Sequence, residues 1–148
     1  MSGSVSGSFA HNAHSVGQSA YHLEWCPKYR FAIFGEAVVL KACEASLRRA
    51  AARHGLELLE LSVMPDHVHA VCVVPPTRSV SDAMRLLKGA SSRELFQEFP
   101  RLRRRYWGGH LWSPGKFYRS VGDATLQLVR HYVRYDNDPH QRSLSHFN

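Results

Sequence analysis

No run of apolar residues in this chain approaches the roughly 20 needed to span a membrane. The Gly/Ser-rich start, Met1 to Ser8, has neither the basic n-region nor the apolar core of an export signal, so the chain reads as cytoplasmic. Cysteine is scarce. Cys26, Cys43 and Cys72 are odd in number, widely spaced and set in apolar patterns. That excludes a disulfide framework or a CxxC metal site and leaves buried free thiols as the reading. A nucleotide site is missing too. The nearest approach to a P-loop is Gly109 to Lys116, where five residues instead of four separate the glycines and Phe117 replaces the required Ser or Thr. No internal repeat is visible, and 148 residues are too few for two ordinary domains.

What is present is ordinary globular composition, with 44% hydrophobic and 21% charged residues. The formal net charge of +7 and a pI near 9.7 suit a polyanionic partner without specifying one. Residues 1–19 are rich in Ser, Gly, Ala and His without a hydrophobic period and read as a mobile arm. A single domain is expected over 20–138, with 139–148 as a tail.

Tyr21 to Arg30 alternates loosely and carries aromatics, which suits a strand ending near Pro27. Glu36 to His54 places Val39, Leu40, Cys43, Leu47 and Ala50 at helical spacing, with Gly55 as the stop. Leu56 to Met64 and His67 to Val74 are β-type runs parted only by Pro65 and Asp66, hence a tight antiparallel hairpin. A second helix follows, capped by Ser79 or Ser81, with Ala83, Leu86, Leu87, Leu95 and Phe96 facing the core and Gly89 weakening its middle. Arg101 to Arg105 and the aromatics after them read as an irregular basic loop. Lys116 to Val121 forms a fourth strand, and Asp123 caps a last helix carrying Leu126, Val129 and Val133. The order is βαββαβ with one added helix, an α+β sandwich of ferredoxin-like type around a central antiparallel sheet. That fold hosts many functions, so function must come from a site.

His67 and His69 stand one residue apart on a strand, so both imidazoles point to one face and Val68 to the other. Two imidazoles are half of a divalent-metal site, suited to Mn, Zn, Fe, Co or Ni and tolerant of Mg with oxygen partners. Isolated histidine pairs are common, so a third ligand is required. The last helix offers one, because Tyr132 and Asp136 are four residues apart and share a face. A phenol with an ordinary pKa of about 10 is a poor nucleophile. A metal gripping a scissile phosphate would compensate by polarising the target. The resulting phosphotyrosine ester retains the bond energy, so rejoining needs no nucleotide. Tyr135, Tyr118 and Tyr106 compete for this role, each with core or surface packing as the ordinary alternative. Aromatics interleaved with the arginine cluster suit stacking on single strands.

The segments YHLEWCPKYR, MPDHVH, LKGASS, LWSPGKF and VRHYVRYD, in that order, resemble the single-tyrosine HUH transposases of the insertion-sequence 200/605 family. The resemblance runs from about Tyr21 to Asp138. It implies an RNA-recognition-like fold and excision and insertion of a mobile element as single-stranded DNA, guided by subterminal hairpins. It implies Mg or Mn as cofactor, with His67 and His69 as paired ligands and Tyr132 as nucleophile. It implies a homodimer with composite sites, the histidines of one subunit meeting the partner subunit's Tyr132 and Asp136. Such helices often carry glutamine where Asp136 stands; a carboxylate holds Mg or Mn at least as well, and Glu24 and Asp66 are fallback ligands. By the same resemblance Lys28, Arg30, Lys88, Ser91 and Arg93 lie near bound DNA, where their chemistry suits phosphate contacts. Two rival readings are a two-histidine, one-carboxylate metalloenzyme acting on a small molecule and a domesticated hairpin-binding protein that no longer cuts.

Overall fold

The computed structural model describes residues 19–115 and 117–122. In chain order these form β1 (Ser19–Trp25), α1 (Ala37–Arg53), β2 (Glu57–Met64), β3 (His67–Val74), α2 (Val80–Glu98), α3 (Pro100–Arg105) and β4 (Phe117–Ser120). The sheet order is β2-β3-β1-β4, with every neighbouring pair antiparallel. Each helical crossover therefore links two parallel strands with a third inserted between them, which is the split βαβ arrangement expected from the element order.

Side-chain alternation divides the sheet into two faces. Val68, Ala70, Cys72 and Val74 of β3 join Leu23 and Trp25 of β1 in the main core, against Val39, Cys43 and Leu47 of α1 and Ala83, Met84 and Leu87 of α2. Val71 and Val73 point the other way, into a smaller buried cluster with Ala20 and Leu59. The histidines lie on this second face, in phase with Val71 and Val73. Cys43 and Cys72 are buried free thiols, and burial raises the Cys72 thiol to about 12.

Local signals explain the boundaries. Pro65 and Asp66 make the two-residue turn of the β2–β3 hairpin. Gly55, at φ +69°, supplies the left-handed residue that ends α1, a conformation costly for side-chain-bearing residues. Ser79 is the cap of α2, its hydroxyl accepting from the Asp82 amide at 3.0 Å. Gly89 does not interrupt α2, which packs on both sides of it. One expectation needs correction. Arg101 to Arg105 is the helix α3, opened by Pro100 at its first position. β1 ends at Trp25, near Pro27 as expected, and Lys28–Arg30 beyond it forms a 3₁₀ turn in which Tyr29 and Arg30 have φ of 66° and 52°. The helix expected from Asp123 onward, with Tyr132, Tyr135 and Asp136, lies outside the described residues, as do most of the arm and all of the tail.

Candidate active site

β3 delivers His67 and His69 to one face, as strand alternation requires. Their side chains are 29% and 32% exposed, covered enough to be held yet open to a small ligand. In the register, His69 lies between Glu24 of β1 and Ser62 of β2, while His67 faces Met64.

Each histidine has a carboxylate at its Nδ1. The His67 Nδ1 is 2.9 Å from Asp66 Oδ1, and the Arg30 guanidinium reaches Asp66 Oδ2 at 3.3 Å. The hydrogen bond from His67, aided by Arg30, holds the Asp66 carboxyl below its ordinary range. The His69 Nδ1 is 3.5 Å from Glu60 Oε1. Glu60 reaches this face through the regular hairpin register, pairing with Val71 as Ser62 pairs with His69 and Met64 with His67; β2 carries a bulge just beyond it. Leu58 pairs with Cys72 and Glu60 with Val71, so Leu59 is supernumerary and the alternation changes phase.

His22 is a further neighbour that sequence reasoning missed. Its ring centroid lies 5.5 Å from that of His69, and its Nδ1 is buried without a partner among the described residues. Burial lowers its pKa, and the charges of Arg119 and His69 push the same way. The available signal was the alternation of β1, which sets His22 in phase with Glu24, but no spacing reveals which strand lies beside β3.

Among the described residues no group of three or more His, Cys, Asp or Glu could hold a metal ion. The pair His67 and His69 is thus a half-site there. Asp66, a fallback ligand, is engaged by His67 and Arg30, and Glu24 shares no such group. Two rival tyrosines are displaced. Tyr106 is 2% exposed, with its hydroxyl pushed up to about 12 by burial. Tyr118 pairs with Leu23 and so shares the face opposite the histidines.

The expected DNA-contact residues separate. The Lys28 amide donates to Leu111 O at 2.7 Å and the Ser113 amide to Cys26 O at 2.9 Å. These bonds dock the WSP segment on the end of the CPKYR segment. Between them and α2 lies a cleft of about 440 Å³ lined by Lys28, Lys88, Trp112 and Ser113. Three of the segments that carried the family resemblance therefore meet in one place. The Lys88 Nζ donates to Ser113 O and Gly115 O at 2.9 and 3.1 Å. Arg93 is exposed, whereas Ser91 is wholly buried. The Ser91 hydroxyl donates to Leu87 O at 2.7 Å and accepts from Trp112 Nε1 at 3.0 Å, so it faces the interior instead of a phosphate. In α3, Arg101 pairs with Glu36, and Arg103 and Arg105 lie over the Phe96 and Phe31 rings. Trp107 beyond them is 91% exposed.

A four-stranded antiparallel sheet backed by two helices, with a histidine pair on its open face, defines the class of small α+β proteins that carry an HUH motif. Within that class the chain belongs to the IS200-like transposases, whose profile, described as "Transposase IS200 like", matches residues 15–136. It is 39% identical over 124 residues to the ISDra2 transposase TnpA of Deinococcus radiodurans, covering 83% of this chain and 87% of that protein. It is 32% identical over 136 residues to the transposase of insertion sequence IS200 from Salmonella typhimurium, covering 89% and 88%. A crystal structure of a protein from Deinococcus radiodurans superposes with a TM-score of 0.65 at 37% identity, covering 79% of this chain and 89% of that one. A tyrosine transposase solved with a REP hairpin superposes with a TM-score of 0.53 at 14% identity, over 79% of this chain and 63% of that one, and shares the fold. Among the described residues no helix is long and apolar enough to cross a membrane.

Proposed function

We propose that this transposase nicks and rejoins single-stranded DNA at insertion-sequence ends, with Tyr132 as nucleophile and a Mg or Mn ion held by His67 and His69. The observation that carries the reading is the pair of half-buried imidazoles on one sheet face, each with its Nδ1 at a carboxylate. This donor set fits a divalent cation, because an imidazole whose Nδ1 donates a proton keeps its Nε2 lone pair for a metal. When bound, the cation would neutralise and polarise the scissile phosphate. Asp136 stands four residues from Tyr132 in the sequence and is the proposed third ligand.

The Tyr132 oxygen attacks phosphorus, the 3′ oxygen leaves, and the chain keeps a 5′ phosphotyrosine. Attack by another 3′ hydroxyl on that ester releases the tyrosine and joins the strands, with no change in the number of phosphodiester bonds. The cleft that holds Lys28 and Lys88 beside Trp112, and the exposed Trp107 beyond α3, supply positive charge and an aromatic face for a subterminal hairpin and its single-stranded flank. The hairpin bound by the REP-associated neighbour supports this partner class. The assembly proposed is a homodimer with composite sites.

Removal of the metal separates cutting from binding. EDTA, or the double variant His67→Ala with His69→Ala, should abolish cleavage of a labelled top strand while hairpin affinity stays within a few-fold. Retained cleavage in a folded double variant would contradict the metal role, and equal loss of cutting and binding would mean that the histidines serve DNA binding.

A further inference from the structure

Resting on the reading of His67 and His69 as metal ligands, we propose that Asp66 and Glu60 are positioning residues. They fix both histidines as Nδ1-protonated tautomers and so commit Nε2 of each ring to the cation. A neutral imidazole has one N–H and one lone pair, and either nitrogen can carry the proton. An ionised carboxylate can only accept, so a carboxylate at Nδ1 puts the proton there and the lone pair on Nε2. Asp66 Oδ1 stands 2.9 Å from His67 Nδ1, and Glu60 Oε1 stands 3.5 Å from His69 Nδ1. Neither Nε2 has a hydrogen-bond partner among the described residues.

Two features of the backbone accompany these contacts. The hairpin register puts Glu60 on the histidine face, opposite Val71 and in phase with Ser62 and Met64, and the bulge at Leu59 ends that register just beyond it. On the other side, the left-handed pair Tyr29 and Arg30 brings the Arg30 guanidinium to Asp66 Oδ2 at 3.3 Å. Such residues persist where surrounding structure holds them, and they cluster at functional sites. Arg30 leaves Asp66 Oδ1 for the imidazole and keeps the carboxylate from turning away. Asp66, a fallback ligand by sequence, thus acts through His67.

The test uses the full chain labelled with ¹⁵N-histidine, free of metal and DNA, and reads each tautomer from long-range ¹H–¹⁵N correlations. Wild type should show His67 and His69 with the proton on Nδ1. Asp66→Ala should release His67, and Glu60→Ala should release His69, toward the Nε2-protonated form that a solvated histidine prefers. Asp66→Asn and Glu60→Gln, which retain an accepting oxygen, should restore much of the wild-type pattern. Mn²⁺ affinity, read by electron paramagnetic resonance, should fall about 10- to 100-fold in the alanine variants. Hairpin affinity should not change in Glu60→Ala. An Nε2-protonated His67 or His69 in wild type overturns the proposal without any variant. So do alanine variants with unchanged tautomers and unchanged Mn²⁺ affinity. If tautomers respond as expected but wild type binds Mn²⁺ no better than the double histidine variant, the metal reading is what fails.

Discussion

Ser91 illustrates how a residue type can fit two roles until its surroundings are known. A serine in a basic, family-typical segment suits a phosphate contact, yet here its hydroxyl is enclosed between the Leu87 carbonyl and the Trp112 indole. Ser91→Ala leaves the indole N–H without a partner, which costs about 1–3 kcal/mol for a buried donor. Urea denaturation should show that loss, and hairpin affinity measured under native conditions should be close to wild type. Full stability with weakened DNA binding would restore the phosphate role. The histidine pair was legible because strand alternation is local and two residues suffice to show it. Asp66 adjoins His67 in the chain and was legible as a fallback ligand, whereas Glu60 and His22 were not legible as neighbours of the pair. The proximity of Glu60 and His22 depends on which strands adjoin β3 and in what register.

At the scale of elements, the helices α1 and α2, the hairpin and the fourth strand follow from periodicity and turn residues, since Gly55, Pro65, Asp66 and Ser79 each satisfy a backbone requirement at a boundary. The arginine run was misread because four like charges resemble a solvated loop. In the structure Pro100 starts the turn, and Arg101, Arg103 and Arg105 find a carboxylate or aromatic rings to cover. The first turn of α2 has its own electrostatic support. Hydrogen bonds from Arg85 and Arg78 hold the Asp82 carboxyl below its usual range. A group with a depressed folded pKa contributes stability above its unfolded pKa and loses it as pH falls through the folded value. Asp82→Asn should therefore lower the thermal midpoint at neutral pH, and the difference from wild type should shrink as the acid limb is approached. A gap that stays constant across that range would assign the effect to packing. In the core, Leu47→Ala removes a wholly buried side chain between α1 and the sheet, and about 2–5 kcal/mol of unfolding free energy should go with it.

For the whole molecule, a formal charge of +7 predicts hairpin binding that weakens steeply with salt, whether or not metal is present. The composite-site proposal has a sharper consequence. Neither the double histidine variant nor Tyr132→Phe should cut alone. Mixed and allowed to exchange subunits, they should regain about a quarter of wild-type site activity, because half the dimers are mixed and each of those holds one complete site. Variants that fold, bind DNA and exchange yet stay inactive together would place each site within one chain.

The most direct measurement is the identity of the residue that carries DNA after cleavage. Full-length protein is incubated with Mn²⁺ and a single-stranded insertion-sequence end, the denaturant-resistant adduct is digested, and the nucleotide-bearing peptide is sequenced by mass spectrometry. The account predicts a 5′ phosphate ester on Tyr132, formed on single-stranded and not on duplex substrate and absent in Tyr132→Phe. An ester on any other residue, or cleavage with no covalent adduct, would contradict it.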